Sequence, residues 1–106
     1  MDQLILSDLY LQTIKDIIKH YYPDATVWAY GSRVTGNCHE GSDLDLVLLE
    51  PDDAQNGHAR FSAMKAAFSD SNIPILIDIR LWRDLPSAFQ TEIKRHYVQL
   101  LPEVLT

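Results

Sequence analysis

Two periodicities take turns along this chain. Leu11, Ile14, Ile18 and Tyr21 recur at helical spacing, and Ser7 or Asp8 can cap the helix they define, which runs to about His20. Pro23-Asp24 stops it. Thr26 to Tyr30 (TVWAY) is β-branched and aromatic and predicts a strand closing at Gly31. A short helix is expected from Ser32 and a loop from Gly36 to Gly41. From Asp43 to Leu49 the pattern alternates, with Leu44, Leu46 and Leu48 on one face and Asp43, Asp45 and Val47 on the other. A polar loop over Pro51 to Gly57 precedes a third helix striped by Phe61, Met64 and Phe68. Ile75 to Leu81 (ILIDIRL) predicts a third strand, with Ile75, Ile77, Ile79 and Leu81 facing one way and Leu76, Asp78 and Arg80 the other. Pro86 and Ser87 open a last helix in which Phe89, Ile93, Tyr97 and Leu100 are spaced for burial.

Helices alternating with strands over 106 residues indicate one α/β or α+β domain, residues 1–106, built on a small sheet. A formal charge of −6 disfavours non-specific binding to nucleic acid, whose affinity comes from Lys and Arg neutralising phosphates. Local basic spots remain at Arg33 and Lys94-Arg95-His96. The single cysteine, Cys38, has no internal disulfide partner and fits a reducing compartment. The N-terminal segment MDQLILSDLYLQ carries acids where a signal peptide has bases, and its apolar run is too short to anchor. The expectation is a cytoplasmic protein with no membrane segment and no direct nucleic-acid contact. His20, His39, His58 and His96 lack ligand spacing, which argues against zinc. Trp28 and Trp82 read as packing anchors, although Trp28 shares a strand face with Tyr30.

The chemistry concentrates between Gly31 and Asp45. Gly31-Ser32 follows a strand and opens a helix, where glycine lets backbone approach a ligand and N–H groups favour an anion. The Ser32 hydroxyl can donate to a phosphate oxygen; Arg33 is a further phosphate candidate, and a solvated surface arginine explains it at least as well. Ser42-Asp43-Leu44-Asp45 ends the run with two carboxylates at i and i+2, pointing the same way from a strand. Such a pair repels itself unless a cation lies between, and Mg²⁺ accepts carboxylate oxygens together with substrate phosphates. A solvated strand start would explain Asp43 and Asp45 equally well. Asp78 tips the balance, because an acid inside an apolar strand is costly without a partner. If its strand lies beside that of Asp45, three carboxylates can hold two cations roughly 3.5–4 Å apart and clamp an in-line displacement. Arg80, on the same face as Asp78, is the competing explanation.

Gly31-Ser32, Gly36 and Ser42-Asp43-Leu44-Asp45-Leu46, with IDIRLW further on, resemble the signature of the DNA polymerase β-like nucleotidyltransferase superfamily. The resemblance runs over nearly the whole chain and is greatest to its minimal nucleotidyltransferase (MNT) members, typically encoded beside a small helical HEPN-type or substrate-binding partner. It implies a small mixed sheet backed by helices, and transfer of NMP from an NTP with two Mg²⁺ ions. It assigns the β- and γ-phosphates to Gly31 and Ser32; Arg33 and Ser42, beside them in sequence, are counted as further nucleotide-binding candidates. Both metals fall to Asp43 and Asp45, and the catalytic metal and acceptor hydroxyl to Asp78.

By the same resemblance, the expected activity is AMP transfer from ATP to a hydroxyl on a HEPN-type partner, the chain acting as antitoxin. A homo-oligomer is compatible with this. One alternative is a non-catalytic nucleotide-binding module that neutralises its partner by contact. Another is a small-molecule transferase of the aminoglycoside-modifying kind, whose members carry an added substrate domain for which this chain has little length.

Overall fold

The computed structural model describes residues 4–39, 41–49 and 57–103. Among these described residues, four strands and four helices follow one another as α1 (Asp8–Tyr21), β1 (Thr26–Tyr30), α2 (Ser32–Thr35), β2 (Leu44–Leu49), α3 (Gly57–Asp70), β3 (Ile77–Leu81), α4 (Ser87–Arg95) and β4 (Val98–Leu101). A 3-10 turn at Trp82–Asp84 links β3 to α4. The sheet order is β3-β2-β1-β4, with β1 antiparallel to both neighbours and β2 parallel to β3. The sheet is therefore mixed, as the resemblance implied.

Side-chain alternation divides the core between the two faces. Val27 and Ala29 of β1, Leu44, Leu46 and Leu48 of β2, and Ile79 and Leu81 of β3 meet Ile14 and Ile18 of α1 and Met64 and Phe68 of α3. Ile14, Ile18, Leu46, Leu48 and Met64 lose all contact with solvent, burial that contributes roughly 1.5–3 kcal/mol for each large aliphatic side chain. The opposite face carries Tyr30 and Val47, covered by Leu85 and by Ile93 of α4, with Trp28, Leu49 and Trp82 packed around them. Val47, expected on the polar side of its strand, is completely buried because α4 roofs that end of the sheet. Trp28 and Trp82 are packing residues, their rings edge-to-face at 5.4 Å.

Several boundaries differ from the expectation. Ser7 occupies the N-cap position of α1, but its hydroxyl makes no capping hydrogen bond. β2 starts at Leu44, leaving Asp43 just outside it, and β3 starts at Ile77 rather than Ile75. Gly57, placed in a loop by its composition, opens α3, while residues 51–56 lie outside the described residues. The largest difference is at the end. The last helix stops at Arg95, and Val98–Leu101 forms an edge strand paired with β1. Leu100 is buried as part of that strand, whereas Tyr97 and Phe89 stay partly exposed. Helical spacing at 93, 97 and 100 mimicked a longer helix, and the open edge of β1 won because pairing satisfies backbone groups along a whole strand.

Candidate active site

The β2–β3 register decides where the acids meet. Asp45 lies directly opposite Asp78 across the parallel pair, and Tyr30 lies opposite Asp45 across the antiparallel one. Adjacent strands run roughly 4.8 Å apart, so one row of the sheet presents a phenol and two carboxylates on its α4 face. β1 ends at Tyr30, and the chain turns there through Gly31, with φ 80° and ψ −155°. That region is essentially restricted to glycine. A Cβ on Gly31 would also run into the Asp45 carboxylate. The glycine is needed twice, for its backbone angles and for the space the carboxylate occupies. α2 follows for a single turn and ends at Gly36, left-handed with φ 94°.

A cleft of about 390 Å³ opens over this row. Tyr30, Gly31, Asp45, Asp78 and Arg80 form its sheet side, and Phe89, Glu92 and Ile93 of α4, with His96 just after the helix, form the facing wall. Burial, reinforced by the Asp78 and Asp43 charges, holds the Asp45 carboxyl above its ordinary value, while Arg80 pulls it down. The Tyr30 phenol is pushed up to about 12, chiefly by burial and then by the Asp45 charge. It remains protonated at neutral pH.

Of the residues nominated by sequence, the fold brings Gly31, Asp45 and Asp78 into one cleft. Asp43 is exposed one residue before β2, close enough to raise the Asp45 carboxyl. Ser32 stands next to Gly31 as the first residue of α2. Arg33 is elsewhere. Its guanidinium, 6% exposed, donates to the carbonyls of Ile5 at 2.8 Å, Ser42 at 3.0 Å and His39 at 3.4 Å. Buried among backbone acceptors, it fastens the loop after α2 to the N-terminal segment and does not reach the acidic row. Ser42 belongs to the same loop: its hydroxyl accepts the His39 N–H at 2.9 Å, as in a local turn. Neither residue lines the cleft.

The competing explanation for Asp78 is also present. Arg80 donates from Nε and Nη2 to the two Asp78 carboxylate oxygens at 3.5 and 3.4 Å. The pair is half-exposed and long, so it is weakly held. Among the described residues no three acids, histidines or cysteines converge tightly enough in this conformation to hold an ion. The donor set nonetheless fits a hard divalent cation. It consists of carboxylate oxygens only, two of them in register, and the third acid is exposed and free to turn toward them.

Sequence reasoning missed the α4 wall. Phe89, Glu92 and Ile93 fall at i, i+3 and i+4, one helical face, a spacing that sequence periodicity contains but assigns to burial, and His96 joins them from just beyond the helix end. Arg80 was visible only as a partner for Asp78.

Comparison with known proteins agrees with the architecture. Residues 11–101 match the Nucleotidyltransferase domain family. The chain is 36% identical over 96 residues to the probable protein adenylyltransferase MntA of Haemophilus influenzae (strain ATCC 51907 / DSM 11121 / KW20 / Rd), covering 91% of this chain and 82% of that protein. In three dimensions it is similar to a solved structure described as a toxin–antitoxin with AMP-PNP, with a TM-score of 0.63 at 18% sequence identity. That match covers 88% of this chain and 73% of the other. The chain belongs to the nucleotidyltransferase-domain family. Within it, this is an MNT-type nucleotidyltransferase.

Proposed function

We propose that this protein is a Mg²⁺-dependent protein adenylyltransferase that moves AMP from ATP to a hydroxyl on a small helical partner of HEPN type, and thereby acts as an antitoxin. The observation that carries the reading is Asp45 facing Asp78 in register beside the glycine turn at Gly31. The MntA relative supports adenylyl transfer to a protein, and the toxin–antitoxin neighbour supports both the biological setting and an adenine nucleotide.

In this reading Gly31 and Ser32 hold the β- and γ-phosphates, Asp43 and Asp45 hold two Mg²⁺ ions, and Asp78 completes the site on the acceptor side. Mg²⁺ held by these carboxylates would supply neutralisation of phosphate charge and a lowered proton affinity at the acceptor hydroxyl. The acceptor oxygen bonds to the α-phosphorus while the α–β bridging bond breaks, and pyrophosphate leaves. The hydroxyl proton passes to Asp78. Positioning and electrostatics supply most of the rate, because the protein forms no covalent bond itself. Tyr30, protonated and opposite Asp45, keeps a hydroxyl donor at the edge of the acidic row. No helix among the described residues is long and apolar enough to cross a membrane, which is compatible with a cytoplasmic setting.

The test is to incubate the protein with its genomic neighbour, Mg²⁺ and each labelled NTP, then map the neighbour by mass spectrometry. AMP should appear on one hydroxyl of the partner, and Asp45→Asn or Asp43→Asn should abolish it without unfolding the protein. Undiminished transfer by these variants would end the mechanism. Full antitoxin activity in the Asp43/Asp45 double variant would show instead that contact alone neutralises the partner.

A further inference from the structure

The cleft contains a charge that the proposed chemistry leaves unused. We propose that Arg80 is an exchangeable counter-ion, pairing with Asp78 in the free protein and passing to the nucleotide phosphates when metal-bound nucleotide enters. The proposal rests on the reading of the acidic row as a nucleotide site.

Three observations converge. Arg80 stands two residues beyond Asp78 on the same face of β3, and among the described residues it contributes the one guanidinium to the cleft walls. Its contacts with Asp78, at 3.4 and 3.5 Å, lie at the long end of hydrogen bonding, and its side chain is 53% exposed. The pair can separate cheaply, since an exposed ion pair of this kind contributes little. Among the described residues no other lysine or arginine lines the cleft: Arg33 is buried among loop carbonyls, and Lys94 and Arg95 of α4, beside the Trp82 ring and Glu92, are not part of its walls.

Electrostatics gives the exchange its direction. A divalent cation taking an oxygen of Asp78 would stand beside a guanidinium bound to the same carboxylate, and the two positive charges repel. Arg80 then leaves Asp78, and the strongest anion within reach is the triphosphate. A guanidinium presents forked donors that suit phosphate oxygens, whereas it cannot ligate the metal. Arg80 thus lowers the repulsion between Asp45 and Asp78 in the free protein and lowers phosphate charge in the bound one. This is the phosphate contact that the sequence assigned to Arg33.

The experiment measures two affinities that the exchange moves in opposite directions. Mn²⁺ alone is titrated into wild type, Arg80→Gln and Arg80→Lys, following the free-ion signal by electron paramagnetic resonance. Mg²⁺ with a non-hydrolysable ATP analogue is titrated into the same proteins by calorimetry. Arg80→Gln should bind Mn²⁺ severalfold more tightly, because Asp78 is released, and Mg²⁺–nucleotide about tenfold or more weakly. Arg80→Lys should recover part of the nucleotide affinity. Unchanged nucleotide affinity in Arg80→Gln would overturn the exchange and leave a simple ion pair. Weakening of both ligands would overturn it in favour of a framework role. Equal Mn²⁺ binding by wild type and Asp45→Asn is a separate failure, because it removes the metal site itself and with it the reading on which the proposal depends.

Discussion

Replacing Arg33 by alanine separates two roles for the arginine beside the glycine turn. A phosphate-binding arginine can be lost with little effect on the fold, whereas a buried clamp cannot. The guanidinium holds the Ile5 and Ser42 carbonyls at 2.8 and 3.0 Å, and the longer contact to His39, at 3.4 Å, is given no weight. Each hydrogen bond from a charged donor contributes roughly 1.5–3 kcal/mol, and removing the donor also leaves its acceptors unsatisfied. Water entering the loop recovers some of that loss, so the low end of the sum applies, about 3 kcal/mol. Against a total stability of roughly 5–15 kcal/mol, this is a large share. For a chain of this length it corresponds to a fall in Tm of roughly 10 °C or more. Thermal and urea denaturation followed by circular dichroism would measure it, alongside Mg²⁺–ATP affinity under folded conditions. Arg33→Lys should recover only part of the stability, because one ammonium cannot reproduce a fork aimed at separate carbonyls. An Arg33→Ala protein that melts within about 2 °C of wild type but loses nucleotide affinity would refute the clamp and return Arg33 to the phosphates.

Three further outcomes are expected. The Asp45 carboxyl is held above its ordinary value by burial and by the Asp78 and Asp43 charges. The folded state therefore binds that proton more tightly than the unfolded chain, and the stability cost of ionising it grows as pH rises from the unfolded value to the folded one. Metal-free Asp45→Asn should melt above wild type at neutral pH, with the gap closing as pH falls to the unfolded carboxyl value of about 3.9; a lower Tm at neutral pH would contradict this. Gly31→Ala should cost roughly 1–3 kcal/mol and abolish transfer, since the backbone angles resist a side chain and the Cβ displaces Asp45. Gly36→Ala, with open space around its Cβ, should cost about 1 kcal/mol and leave transfer intact; equal activity losses in the two variants would count against the proposed geometry. Mg²⁺ should raise the Tm of wild type but not of Asp45→Asn, measured by differential scanning fluorimetry, and an equal rise in both would place the ion elsewhere.

Local pattern made much of this protein legible. The alternation of Leu44, Leu46 and Leu48 identified both β2 and its buried face, because side chains on a strand point alternately whatever the partners are. The Phe61, Met64 and Phe68 stripe identified α3 for the equivalent helical reason. Where elements compete for the same residues, local pattern failed. Tyr97 and Leu100 fit a helix, yet Val98–Leu101 completes the sheet because the edge of β1 lies open far away in sequence. Val47 belonged to the acid-bearing face and still became fully buried, since α4 covers one end of that face and leaves the other open.

The candidate site divides in the same way. Gly31, Ser32, Asp43 and Asp45 lie within one short stretch, so their types and spacing were enough to nominate a phosphate turn and a carboxylate pair. The sequence by itself thus determined the chemistry on offer. Tertiary structure decided which groups share it. The β2–β3 register sets Asp78 against Asp45, α4 and its C-cap add Phe89, Glu92 and His96, and Arg80 rather than the buried Arg33 lines the cleft. Spacing along a chain fixes distances only between near neighbours, whereas strand register and helix packing set distances between residues far apart. Two arginines that look equally available in sequence therefore take opposite assignments, one satisfied by backbone carbonyls and the other facing the acids.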